Sequence, residues 1–201
     1  MVASGLLMAQ EITSDDLKGA LEAEIRKTKK ANNMEERGGF VPNEFLDILL
    51  TPRNIKKRLQ TDFPRLEEMR LEQWTRTIHK SGMKLYAILI LLDESRRIKD
   101  LFTRPKPPVV DDVLLFQEDF CTEKDLQKIG LWDIKESFYR AQWIFPPLLT
   151  GKSLQKFDPT SFIFPFTSKR KKVGHGSFGV VFKVEIAKGH MKLPPEYVSV
   201  R

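Results

Sequence analysis

The chain has 201 residues, with 34 Lys+Arg against 27 Asp+Glu and a formal net charge of +7. That length allows one or two domains, and 41% hydrophobic with 30% charged residues excludes an intrinsically disordered chain. The charge is lopsided: eight bases and two acids give residues 165–201 a charge of +6, which leaves +1 on the first 164. A uniformly basic nucleic-acid binder is therefore excluded.

The one cysteine, Cys121, excludes an internal disulfide framework and a cysteine-based zinc site, and it suits a reducing compartment. It has no local basic partner and reads as a small core residue. Met1 to Gln10 has neither a basic n-region nor a cleavage site, so no signal peptide is expected. The longest apolar run, Leu85 to Leu92, falls far short of the roughly 20 residues a bilayer span needs. No membrane partner is expected, and the expected location is intracellular, cytoplasmic or nuclear.

In chain order, Ser14 is placed to cap a first helix. Asp15 and Asp16 lie in its first turn, and Lys27, Lys29 and Lys30 close it, matching the helix dipole. Leu17, Ala20, Leu21 and Ile25 form its apolar stripe. Residues 32–39 break the pattern. Pro42 to Leu50 reads as a short helix bearing Phe45, Leu46, Leu49 and Leu50. Thr51 then caps a third helix with Pro52 in its first position, and Ile55 and Leu59 are its apolar face.

Pro64 to Phe102 is helical again, marked by Leu66, Met69, Trp74 and Ile78, with a break at Ser81-Gly82. Met83 to Leu92 is apolar on most sides, which puts it at the centre of a bundle. Arg104 to Pro108 is a stiff connector. Val113 to Phe116 fits either a strand or a buried helical turn. Asp111 and Asp112 read as solvated or capping acids. Thr122, with Asp125 three residues on, signals a helix to Ile129 that Gly130 ends. Trp132 to Phe145 reads as a further helix stopped by Pro146-Pro147. Trp74, Trp132 and Trp143 are expected in the core. His79, His175 and His190 are dispersed, so no metal site is expected.

The character changes after Gly151. The expected division is a mostly helical region over 1–150, a Phe- and Pro-rich linker over 151–165, and a β-rich segment over 166–201. The fold class is α+β: helices first, then an incomplete antiparallel hairpin or three-strand sheet.

The β-rich segment contains Val173-Gly174-His175-Gly176-Ser177-Phe178-Gly179-Val180-Val181. Glycines in this spacing let the backbone turn tightly and bring its N–H groups close to an anion. A dinucleotide-binding fold needs a helix directly after the last glycine. Val180 to Ile186 instead has strand chemistry, with Val180, Phe182, Val184 and Ile186 on one face. The glycines therefore sit at the tip of a hairpin.

On these residues, 166–201 resembles the start of a protein kinase catalytic domain. The resemblance implies that Val173 and Val181 lie against the adenine of ATP, and that the backbone from Gly174 through His175, Gly176, Ser177 and Phe178 to Gly179 covers the phosphates. Val198-Ser199-Val200-Arg201 fits the frame of the family's third strand after an insertion from Ala187 to Pro195. Ser199 would then take the small adenine-facing place, and Arg201 the place of the lysine that pairs with the phosphates. Arginine is no neutral replacement there; the other register puts the lysine just beyond Arg201. A helical region before such a loop is similar to the arrangement of uncharacterised fungal kinase-like proteins.

The resemblance covers about 36 residues (166–201). The sequence shows no His-Arg-Asp catalytic loop, no Asp-Phe-Gly metal motif and no Ala-Pro-Glu, the parts that perform phosphoryl transfer. The expectation is a truncated piece of a protein kinase-like protein, inactive by itself. A longer parent would use Mg-ATP to phosphorylate Ser/Thr hydroxyls of proteins. The alternative is a non-catalytic interaction or scaffold protein acting through its helical region, with a pseudokinase remnant. Nucleic-acid binding through the basic run Lys169-Arg170-Lys171-Lys172 ranks third, because such a run also reads as a solvated strand edge.

Overall fold

The computed structural model describes residues 16–32, 38–103, 110–111, 115, 123–150, 162–167, 171–177 and 179–192. Among these residues the fold is α+β and mostly helical, as the sequence implies. Helix α1 spans Leu17–Asn32, α2 Asn43–Leu49, α3 Pro52–Asp62, α4 Glu68–Ser81 and α5 Met83–Leu91. A 3-10 turn at Ser95–Arg97 leads into α6, Ile98–Thr103. Helix α7 is Glu123–Lys128 and α8 is Lys135–Gln142. Four short strands follow: β1 Leu149–Thr150, β2 Lys171–Gly176, β3 Gly179–Lys183 and β4 Met191–Lys192.

The core is built around α5, where Leu85 to Ile90 are all buried. It touches α1, α4 and α8. A helix apolar on most sides has little solvent face to offer, so burying Leu85 to Ile90 is the arrangement that removes most apolar surface from water. Leu17 and Leu21 of α1, Ile55 and Leu59 of α3, Leu71, Trp74 and Ile78 of α4, and Phe138 of α8 join the same cluster.

Local chemistry explains most boundaries. The Asn54 amide donates to Thr51 Oγ1 at 3.2 Å, so Thr51 caps α3 with Pro52 next to it. Gly82 separates α4 from α5: its N–H donates to the Ile78 carbonyl at 2.9 Å, and its carbonyl accepts from Tyr86 at 2.9 Å. Gly130, with φ 71, ends the turn after α7 in the left-handed region. Arg97 then ties the 3-10 turn to that corner, donating to Glu94, to Asp133 and to the Gly130 carbonyl.

Three features differ from the sequence expectation or complete it. The segment from Trp132 is not one helix: Trp132–Ile134 is a 3-10 turn, α8 ends at Gln142, and Trp143 and Ile144 form a turn. The residues there are mixed in polarity, and Pro146-Pro147 ends any helical hydrogen bonding. Trp132 is half-buried, with Lys135 Nζ 3.7 Å from its ring centre, whereas Trp74 and Trp143 are buried. Asp111 caps α5 from a distance: its carboxylate accepts from the Lys84 amide at 3.1 Å and the Leu85 amide at 2.8 Å. Ser14, Asp112, Val113, Phe116, Cys121, Thr122 and the connector Arg104 to Pro108 lie outside the described residues.

The strands form two separate pairs. β2 and β3 are the expected antiparallel hairpin, with Lys172↔Phe182, Gly174↔Val181, His175↔Val180 and Gly176↔Gly179 in register. β4 does not extend that hairpin; it lies parallel to β1, with Leu149↔Met191 and Thr150↔Lys192. The Ala187-to-Pro195 stretch, expected as an insertion between strands, thus returns through residues 187–192 to the end of the helical region. The proposed third strand at Val198 to Arg201 lies outside the described residues.

Candidate functional site

The glycine hairpin projects from a sealed base. Phe162 is buried against Trp143, ring centres 5.8 Å apart, and Trp143 meets Tyr139 of α8 edge-on at 6.0 Å. Phe164 contacts Phe162 at 4.6 Å and stacks on Phe166 at 5.3 Å. This aromatic ladder links α8 to the foot of the hairpin. There the Thr167 amide donates to the Glu185 carbonyl at 2.9 Å and the Ala187 amide to the Pro165 carbonyl at 2.7 Å. A bridge between Phe166 and Ile186 continues the antiparallel pairing.

Above the base, most of the hairpin is open to solvent. Val173 sits at a register irregularity between Lys172 and Gly174 and is 57% exposed; Val181 is 60% exposed. Gly174 lies directly across from Val181, and a Cβ added there would come within 3.8 Å of the valine Cβ. Glycine at that point leaves the valine face uncovered. At the tip, Gly176 and Gly179 would each place a Cβ in open space, and Gly179 has φ 149, a conformation side chains disfavour. His175 and Ser177 are exposed. Phe178, Ser199 and Arg201 lie outside the described residues. The structure thus brings Val173, Gly174, His175, Gly176, Ser177, Gly179 and Val181 into one strand–turn–strand unit with open space around Gly176 and Gly179.

Where the hairpin returns to the helical body, the structure shows a residue that the sequence does not single out. His190 is 0% exposed. Its Nε2 accepts a hydrogen bond from the Asn43 amide at 3.0 Å, at the start of α2. With Nε2 accepting, the ring proton of the neutral imidazole resides on Nδ1. Nδ1 makes no hydrogen bond of good geometry, but the Pro146 and Pro147 carbonyls lie near enough to favour its proton. Burial first, and then the Lys84 ammonium, push the His190 pKa down from 6.5 to about 4.

The surrounding backbone holds the histidine on three sides. Its carbonyl accepts from Leu149 at 2.8 Å, and its amide donates to Ala187 at 3.1 Å. Asn43 Nδ2 donates to the Gly189 carbonyl at 2.8 Å, and Phe40 meets the imidazole edge-on at 6.0 Å. Lys188 pairs with Glu44 at 2.9 Å. The polar run Lys188-Gly189-His190 carries no sequence signal of burial, so only the tertiary arrangement discloses this latch. His79 and His175 are exposed and far apart in sequence, and no His/Cys/Asp/Glu group able to hold a metal ion exists among the described residues. No helix among the described residues is long and apolar enough to cross a membrane.

The hairpin's exposed tip can offer backbone N–H groups to an anion, and its valines offer a flat apolar surface. In the latch the imidazole itself is fully buried, while the Lys188–Glu44 pair beside it is exposed. No family model, curated protein or solved structure matches the chain.

Proposed function

We propose that the β2–β3 hairpin is a nucleotide-phosphate loop of the protein kinase type, carried by a helical module. The observation that carries this reading is the pairing of Gly174 with Val181 and of Gly176 with Gly179. It combines an uncovered valine surface with open space around the tip glycines Gly176 and Gly179. An adenine would lie against Val173 and Val181, and the phosphates would lie under the amides from Gly174 to Gly179. In a complete kinase site ATP would bring Mg, and residues that this sequence lacks would supply catalysis. The hairpin alone supplies one wall of a pocket, so phosphoryl transfer to Ser/Thr hydroxyls belongs to the proposal only for a longer parent.

The test is amide NMR with Mg-ATP. A one-walled site binds weakly, and a ligand at its Kd stabilises by only about 0.4 kcal/mol. The melting temperature should stay nearly still, while the amides of residues 174–179 shift and those of α5 do not. Gly176→Val should abolish the shifts by filling the open tip. Absence of hairpin shifts at saturating Mg-ATP defeats the reading. A non-catalytic scaffold role for the helical region is the second reading, favoured by the burial of His190, which makes the return of the hairpin part of the helical body.

A further inference from the structure

We propose that the β2–β3 ribbon also binds the phosphate backbone of duplex nucleic acid. The sequence ranks this reading last because it treats the lysines as the guarded edge of a larger sheet. The structure adds two facts. First, the ribbon has no covering layer among the described residues: each described residue from Lys171 to Lys183 except Gly174 is exposed, and Gly174 is half-exposed. Second, Lys171 and Lys183 are direct cross-strand partners. Like charges placed opposite each other on adjacent strands destabilise the pair. None of Lys171, Lys172 and Lys183 is met by an acid among the described residues, whereas Lys188 has Glu44 and Lys56 has Glu68.

The charge complementarity is strong. Residues 168–184 contain five Lys or Arg and no Asp or Glu. The register puts Lys171 and Lys183 on one face, and Lys172 with Phe182 on the other. An extended acidic peptide lying on one face neutralises one set. A groove walled by phosphates on both sides meets both sets, and the major groove of B-DNA is wide enough for a two-stranded ribbon. Lys183 lies four positions along β3 from Gly179, about 13 Å at strand rise. The lysine pair therefore lies apart from the tip that would cover a nucleotide phosphate.

The experiment uses the full chain and a labelled duplex of about 20 base pairs in fluorescence anisotropy, over about 50 to 200 mM salt. Three phosphate contacts give a slope of log K against log salt of about −2.7. The double variant Lys171→Ala/Lys183→Ala should flatten it to about −0.9 and weaken binding, with an unchanged circular dichroism spectrum because both side chains are exposed. Gly176→Val should retain duplex binding, which separates this site from the nucleotide loop. No binding at the low-salt end overturns the proposal. So does an unchanged slope in the double variant. Polyglutamate of similar charge binding as tightly as duplex overturns it in favour of an acidic protein partner.

Discussion

Acidification should loosen the His190 latch through a proton the folded state refuses. His190 is fully buried, and its pKa falls from 6.5 to about 4 in the fold. The folded state therefore binds fewer protons than the unfolded chain between these values. The latch contributes its full stability above pH 6.5, loses it as pH falls toward 4, and loses no more below that. At pH 4.5 the loss relative to pH 7.5 is on the order of 2 to 3 kcal/mol, since a tenfold difference in proton affinity between folded and unfolded chain is worth about 1.4 kcal/mol. The charged groups nearby are Lys84 on α5, which repels the imidazolium, and the Lys188–Glu44 pair across the start of α2. Urea unfolding of wild type and His190→Gln at the two pH values measures the difference. Asp133, held low mainly by Arg97, and Glu72, held low mainly by Lys56, titrate in both proteins and cancel. Direct NMR titration of the His190 ring supplies a second readout independent of how well the variant folds. A ring that titrates near 6.5, or equal acid sensitivity in the two proteins, refutes the reasoning.

Other perturbations test the packing around the same body. A Cβ at Gly39 would lie 1.8 Å from the Ile25 carbonyl oxygen, a backbone atom that cannot swing aside. Gly39→Ala should cost about 2 to 4 kcal/mol in chemical denaturation, and a neutral outcome refutes the close approach of this loop to α1. Asp111→Ala should cost about 1 kcal/mol by uncapping α5, with Asp111→Asn recovering part of it; equal losses in the two variants contradict a capping role.

Much of the helical body was legible because its signals are local. Thr51-Pro52 carries its cap within four residues, Ser81-Gly82 interrupts a helical run at the point of least helix propensity, and the all-apolar Leu85 to Ile90 can go nowhere but inside. The hairpin was legible for the same reason, since glycine spacing and β-branched alternation act between neighbours in sequence. The α5 cap from Asp111 was open only as one of two readings of an acid, because the helix it serves lies 26 residues earlier. The β1–β4 pairing was not legible at all. Two-residue strands have no periodicity to detect, and their partnership follows from where the helices deliver the chain. His190 escaped for a related reason: its burial comes from Asn43, Phe40 and Pro146, none of which is near it in sequence.

The span of that last contact has a consequence for how the molecule comes into being. The Asn43–His190 hydrogen bond joins residues 147 positions apart. A ribosome adding roughly 5 to 20 residues per second makes Asn43 about 7 to 30 seconds before it makes His190. Through that interval the helices can pair through contacts near in sequence, α3 with α4 and α4 with α5, while the Asn43 amide waits for its partner. Closing so long a loop is the slow, entropically costly step of such a topology. The histidine is therefore among the last of the described residues to take its place, after every described helix has been made.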